Sequence, residues 1–443
     1  MAGVYRIGLW RIDLWLRREV LDRVLFHGRP LVCALAFVWR RLLFRTTFVA
    51  ITGSLGKTTA KQCVAACLAA RYRTACIPVD SNDDGWLALS VLRVRPWHRY
   101  AVLEVAAGAP GRMAGRIPFV RPDVSIVLGI ARTHTATYPT LEARAAEKGR
   151  LIGALRRGGL AVLNADDPLV AAMAPPAGAA MVRFGTCADA DVRGAAIATC
   201  WPERFSLRVS CDGVNETVRT RLVGEHWMPV ILAALAVARH AGVPLGEAAA
   251  ALGRVPPVLG RLEPVQLPGG ATVLRDDFIG SVDTLDAAVA VLEGAIVRRR
   301  ILLVTDFSDS GKDRRNRLRH LACAAARSSD VAIFVGESAA YGGRRAVEAG
   351  MAPAQVRHFR TLEETAHFLK SELGAGDLLL LKGRTADHAT RIFHALRGSI
   401  RCWKTDCRRR IPCDRCWELG ARPARPNSAA RSVSEKSPSE KPS

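Results

Sequence analysis

The sequence predicts an α/β protein: a P-loop-type domain with a mostly parallel central sheet, followed by a Rossmann-like C-terminal domain. A short helical N-terminus precedes them and a Cys-rich, disordered tail follows. Three observations carry this expectation. From Thr47 onward short apolar runs alternate with helical or loop sequence, as a parallel sheet covered by helices requires. The alternation restarts after a Pro/Gly-rich joint, VPPVLGRLEPVQLPGG. And 443 residues are too many for one compact core.

In order, residues 1–46 place Trp10, Leu14, Trp15, Val20, Leu21, Val24 and Leu25 at helical spacing among nine arginines and three acids, a balance of +6. They read as one or two basic amphipathic helices, packed on the main domain or lying on an anionic membrane face. TFVAITG is an apolar strand running into a helix near Lys57, and YAVLEVA, VSIVLGI and GLAVLNA are further buried strands. Segment 181–222 breaks the pattern with short, antiparallel-looking strands such as ERFSLRVS, and a helix follows through VILAALAVARHAG. The joint sets a boundary between residues 47–257 and 258–399. In the second unit TVLRDD, ILLVTD, VAIFVG and DLLLLKG are the strands, with helices from Thr284 and around Arg317–Arg327. Residues 400–419 hold a cysteine cluster, and 420–443 are too polar to fold.

Hydrophobic content of 49% and charged content of 24% are those of an ordinary globular protein, whereas the net charge of +23 is not. Such charge suits anionic partners, although it also follows from arginine-rich codon usage. Cys33, Cys63, Cys67, Cys76, Cys187, Cys200, Cys211 and Cys323 are scattered and read as reduced, mostly buried thiols. No signal peptide is evident, and the early apolar run Pro30 to Trp39 is half of the roughly 20 residues a spanning helix needs. The expected location is the cytoplasm, with peripheral contact to the inner membrane face.

ITGSLGKTT, Ile51 to Thr59, is the strongest chemical signal. A strand runs into glycines, then Lys57 and Thr58, then a helix. Backbone N–H groups of such a turn cradle phosphates, the lysine reaches the β- and γ-phosphates and the threonine hydroxyl faces Mg²⁺. Thr52, Gly53, Ser54, Gly56, Lys57, Thr58 and Thr59 are therefore the candidate nucleotide contacts. Glu104 ends a strand, where open α/β sheets place ligands. Taken alone, His134 reads as a solvated loop histidine and Lys148, among Arg144, Glu147 and Arg150, as one charge of a solvated helix face. Cys402, Cys407, Cys413 and Cys416, spaced C-x4-C-x5-C-x2-C, read as a zinc (Zn²⁺) knuckle, against free or redox-active thiols.

The shortened loop resembles the P-loop of the Mur ligases, T-G-[ST]-x-G-K-T-[ST], and the resemblance runs from about Thr47 to Leu396. It is closest to the MurF type, which adds D-alanyl-D-alanine. LEVAAGAPGRM resembles the stretch that supplies a Mg²⁺ ligand, here Glu104. RPDVSIVLGIARTHTATYPTLEARAAEKGRLI resembles the stretch holding a metal-ligand histidine, here His134, and a lysine carbamylated in many members, here Lys148. LNADDP is nearly the family string. GRLE carries Arg261, a family phosphate contact, and RDDF carries Asp277, a family ribose contact. TDFSDSG and LLLKGR resemble the third domain, where Lys382 and Arg384 are candidates for the incoming amine's carboxylate; Asn82 is a further substrate-binding candidate. The resemblance implies ATP and Mg²⁺, a carboxylate donor and an amine acceptor. Together these imply an ATP-dependent ligase that joins them through an acyl-phosphate, with Thr58, Glu104 and His134 on the metal.

Three departures accompany it. Only 46 residues precede the first strand, fewer than the roughly 80 an α/β sugar-binding unit needs, so the expected donor is not the usual UDP-muramoyl peptide. The donor carboxylate is then expected from the central-domain cleft, from a partner, or from a carrier protein or membrane-bound substrate docked on the basic N-terminal helices. The family's G-x-H-N-x-x-N appears as GEHWMPV, with Trp227 offering an aromatic face to the base instead. D-D-S-Y-N-A-N-P appears as DDFIGSVD. The alternative reading is a non-catalytic nucleotide-binding or scaffold protein on a decayed ligase fold; a nucleic-acid-binding regulator is the third and least favoured.

Overall fold

The computed structural model describes residues 27–77, 83–131, 137–280, 282–305, 314–407, 412–420 and 422–423. The candidates Asn82 and His134 lie outside the described residues, as do residues 1–26 and 424–443.

Nine strands make the first sheet: β1 Thr47–Thr52, β2 Thr74–Cys76, β3 Tyr100–Glu104, β4 Val124–Val127, β5 Leu160–Asn164, β6 Ala180–Gly185, β7 Val192–Ala198, β8 Ser206–Cys211 and β9 Val214–Arg219. Their order is β2-β3-β1-β4-β5-β6-β7-β8-β9. Pairing is parallel from β2 through β7, and β7, β8 and β9 then pair antiparallel, as the alternation of ERFSLRVS suggested. The inner strands β1, β3, β4 and β5 are buried on both faces, which is why their sequences are continuous apolar runs. One face is covered by the helices Lys57–Ala69 and Met228–His240, which pack on each other. The second of these is buried almost all round, from Val230 to Ala238, and is correspondingly apolar on every side.

Six strands make the second sheet: β10 Glu263–Gln266, β11 Thr272–Asp276, β12 Arg299–Thr305, β13 Val331–Val335, β14 Val356–Phe359 and β15 Asp377–Lys382. Their order is β10-β11-β15-β12-β13-β14, parallel except for the edge strand β10. The helices Val282–Glu293 and Arg314–Ser328 pack on one face. Leu362–Glu372 and Thr390–Arg397 pack on the other.

Ahead of β1, the helix Arg29–Leu42 docks on the first domain. Ala36 is fully buried and Arg40 donates to the Val120 carbonyl and pairs with Asp123 at 2.8 Å. At the other end order extends further than composition suggests. Gly398–Ser399 (β16) pairs antiparallel with Arg422–Pro423 (β17), inside the stretch expected to be disordered from residue 420. Of the eight scattered cysteines, Cys63, Cys67 and Cys211 are buried, Cys33, Cys76 and Cys187 half-buried, and Cys200 and Cys323 exposed.

Candidate active site

Strands β1 and β3 run side by side with Ile51 opposite Glu104, so both release their chains at the same end of the sheet. That end carries the site. After Thr52 the chain turns through Gly53, at φ 150°, and Gly56, at φ 77°, before the helix Lys57–Ala69. Gly56 also lies against the core: a Cβ there would meet Val230 Cγ2 at 2.8 Å, so both the left-handed backbone and the space select glycine. The loop is tied to the end of β4, with Ser54 N donating to the Gly129 carbonyl and Ala131 N donating to Ser54 Oγ, each at 2.9 Å.

Five cationic or metal-binding side chains converge on this loop. Thr58 Oγ1 donates to Glu104 Oε2 at 2.8 Å. Arg261 crosses from the second domain and donates to Thr58 Oγ1 at 3.2 Å, its guanidinium lying over the Phe278 ring at 5.0 Å. Lys57 Nζ folds back onto the carbonyls of Gly53 at 3.0 Å and Ser54 at 3.1 Å. Lys148 Nζ donates to the same Gly53 carbonyl at 2.9 Å. Burial lowers the Lys57 ammonium from its ordinary range; Glu104 opposes this and Arg261 adds to it. The Thr52 and Thr59 hydroxyls are buried at the loop without a hydrogen-bond partner. Two orphan hydroxyls, a glycine turn and a helix N-terminus fit the oxygens of a phosphate chain. Thr58 and Glu104 supply adjacent hard oxygen donors of the kind Mg²⁺ takes.

Lys148 is the residue that its own surroundings in sequence describe least well. It is 4% exposed, and Arg144 and Glu147 are as deeply buried, so this face of the helix Leu141–Gly153 is not solvated. Glu147 accepts from Met113 N at 2.7 Å, which fixes the helix against its neighbour. Burial, then Lys57 and Arg144, push the Lys148 amine down to about 7.

Asp277 is 2% exposed, just beyond β11. Its Oδ2 accepts from Arg275 at 3.1 Å and from the Thr390 hydroxyl, while Oδ1 has no partner. Three other candidates are placed differently from expectation. Lys382 is fully buried and held by Asp276, the Ile279 carbonyl at 3.0 Å and Thr284 at 3.1 Å, so it presents no charge to a substrate carboxylate. Arg384 is paired with Asp387 at 2.5 Å within one turn. Trp227 is 7% exposed and packed in the core, with its indole N–H unpartnered, and so gives no stacking face to a base. The zinc expected at the cysteines has no preformed ligand set. Among the described residues no three His, Cys, Asp or Glu side chains are arranged to hold a metal.

A P-loop on one sheet domain, completed by an arginine from a second, defines a two-domain enzyme that handles nucleotide phosphates. Residues 51–238 match the Mur ligase middle domain and residues 260–385 the Mur ligase glutamate ligase domain. The UDP-N-acetylmuramoyl-tripeptide–D-alanyl-D-alanine ligase of Mycobacterium tuberculosis is 30% identical over 376 residues, covering 80% of this chain and 74% of its own. The Escherichia coli enzyme of the same name is 31% identical over 278 residues, 62% of this chain and 61% of its own. The chain belongs to the Mur ligase family, and is an ATP-dependent ligase that forms C–N bonds. Among solved structures, MurF from Acinetobacter baumannii superposes with a TM-score of 0.74 at 22% identity, over 82% of this chain and 79% of that one. MurF ligase from Thermotoga maritima in complex with ADP gives 0.69 at 22% identity, over 82% and 83%. Both share the fold.

Proposed function

We propose that this ligase activates a carboxylate as an acyl-phosphate and passes it to an amine, on a donor other than the UDP-muramoyl tripeptide named for its relatives. The observation that carries the chemistry is the convergence of Lys57, Thr58, Glu104 and Arg261, drawn from both domains, on one glycine turn. A carboxylate oxygen attacks the γ-phosphorus of ATP and the bond to ADP breaks. The amine nitrogen then attacks the acyl carbon, loses its proton, and phosphate leaves. Two anions approach in the first step, so positive charge must stand where they meet. Lys57 and Arg261 supply it, and Thr58 and Glu104 would hold Mg²⁺, which neutralises phosphate charge when bound. Asp277, with one carboxylate oxygen free, would take the ribose. The helix Arg29–Leu42 packs on the sheet domain ahead of β1, and its exposed face bears on where the donor docks. ADP release that requires both a carboxylate and an amine tests the reaction class. Efficient joining of D-alanyl-D-alanine to UDP-muramoyl tripeptide by this chain would overturn the donor assignment.

The helix Arg29–Leu42 also suggests how the donor arrives. Leu31, Leu35, Val38 and Leu42 are exposed by 51 to 64% and recur every three or four residues, beside Arg41 and Arg45. An apolar stripe flanked by arginines fits an anionic membrane surface carrying the donor. Among the described residues no helix is long and apolar enough to cross a membrane. Leu35→Glu with Val38→Glu should abolish co-sedimentation with phosphatidylglycerol vesicles and spare ATP binding; unchanged co-sedimentation would count against the membrane.

Lys148 would act as its carbamate, a negative group beside Lys57. Carbamylation joins the neutral amine to CO₂ with loss of a proton, and an amine brought down to about 7 is about half neutral at that pH and largely neutral above it. Activity in bicarbonate-free buffer should therefore fall, recover on adding bicarbonate above that pH, and recover little below it, where the amine is protonated. Lys148→Ala should regain part of its activity with added short carboxylic acids. No bicarbonate effect and no rescue would rule the carbamate out.

A further inference from the structure

Beyond the second sheet, the described residues between Ile400 and Gly420 form only two 3-10 turns, Cys413–Arg415 and Trp417–Leu419. Yet Cys402, Cys413 and Cys416 are 5 to 8% exposed and Cys407 is half-buried. So short a segment has no core of its own to bury them in. All four line one cavity, with His388 and Arg391 in the same wall. Its volume of about 10 Å³ is the room of a single small occupant.

Charge indicates what that occupant is. Arg391 is 1% exposed, and among the described residues no carboxylate pairs with it. It donates to the Lys404 carbonyl, and its Nε is buried without a partner. A buried guanidinium without a counter-charge is costly, and neutral thiols do not supply one. Four thiolates around a divalent ion carry a net charge of about −2 and do. His388 adds a ring nitrogen, Nδ1, 3.3 Å from Cys413 Sγ, a contact that would orient a sulfur ligand. The backbone agrees: Cys416 N donates to the Cys413 carbonyl at 3.0 Å, closing the C-x2-C turn.

We propose that Cys402, Cys407, Cys413 and Cys416 bind one zinc ion in this cavity, and that the segment it closes sets the position of Asp277. The four thiols line the cavity without yet being gathered into a ligand set, so zinc entry would draw them inward and release their protons to solvent; no electron moves. The coupling runs through Asp414, inside the C-x2-C turn and not itself a ligand. Asp414 accepts from Arg275 Nη1 at 2.9 Å and Nη2 at 3.0 Å, and from His394 Nε2 at 3.0 Å. The same Arg275 Nη2 donates to Asp277 Oδ2. Arg275 is thus held between the metal turn and the carboxylate that faces the nucleotide. This second half rests on the reading of Asp277 as a ribose contact.

Elemental analysis of the full chain, purified without chelator, should give about one zinc per chain. Cys413→Ser with Cys416→Ser should lose it, and Cys211→Ser should keep it. Cobalt exchanged into the wild-type chain should give the intense visible absorption of a tetrahedral thiolate site, a readout that needs no variant to fold. A metal-free chain whose thiols take up neither zinc nor cobalt under reducing conditions would overturn the site. Asp414→Asn should keep the zinc and raise the KM for ATP about tenfold, as loss of a charge-assisted contact would. Asp277→Ala should raise it as well. An unchanged KM in Asp277→Ala would remove the ribose reading. A raised KM there but not in Asp414→Asn would overturn the coupling alone.

Discussion

Lys57→Ala should fold normally and lose ligation by on the order of a thousandfold or more. The expectation rests on where the side chain stands. Its ammonium folds onto the Gly53 and Ser54 carbonyls, within the loop whose N–H groups would face the phosphates, and burial lowers it from its ordinary range while Glu104 opposes and Arg261 adds to that shift. Those two carbonyl contacts hold the lysine ready and do little for the loop, whose shape is set by Gly53, Gly56 and the ties to Gly129 and Ala131. Removing the charge therefore leaves the turn in place and takes away a cation that the pentavalent phosphorus needs more than the ground state does. Lys57→Met, which keeps the stem, should be nearly as inactive, and this separates charge from packing. ADP release in single-turnover assays, alongside thermal unfolding of both variants, makes the measurement. Turnover within a few-fold of wild type in either would sink the phosphate-loop assignment.

What the sequence made legible follows from how strongly each residue's surroundings are dictated locally. TFVAITGSLGKTT announces a strand, a glycine turn and a helix because each part has one physical solution, and the structure builds that arrangement. Arg261 is legible only through the string around it; its reach to Thr58 depends on how the two domains meet. Lys148 was not legible from its neighbours. Arg144, Glu147, Lys148 and Leu151 share the helical stripe of a buried face, but three of the four are charged, so a rule equating polar with exposed inverts the face. The buried charges are tolerated because each has a partner: Arg144 on the Ala131 carbonyl, Glu147 on Met113 N, Lys148 on the Gly53 carbonyl. Trp227 fails for the opposite reason. An aromatic residue beside a nucleotide motif suggests stacking, yet the helix that follows is apolar all round and draws its first turn into the core. The edge strands β10 and β14 are not legible in the sequence because EPVQ and VRHF lack the apolar run that marks the inner strands.

Lys382 is where stability and function make different demands, and Asp276→Ala should destabilise the protein by about 3–5 kcal/mol. The Lys382 side chain has no solvent exposure, and Asp276 is its only carboxylate partner among the described residues. Its other contacts, the Ile279 carbonyl and the Thr284 hydroxyl, are neutral. Burial raises the Asp276 carboxyl from its ordinary range against the pull of Lys382, so the pair is maintained at a desolvation cost. Truncating the aspartate leaves an ammonium inside the second domain without a counter-charge, at the ends of β11 and β15, which are hydrogen-bonded neighbours with Asp276 opposite Lys382. Asp276→Leu combined with Lys382→Met should recover most of the loss, since a packed apolar pair of similar volume replaces a buried ion pair at little net cost. Denaturant unfolding followed by probes in each domain measures the effect, and it should appear in the transition of the second domain. The same variants decide whether Lys382 reads the amine's carboxylate. If it is structural, the double variant keeps the KM for the amine; a tenfold higher KM with stability restored would return Lys382 to the substrate site.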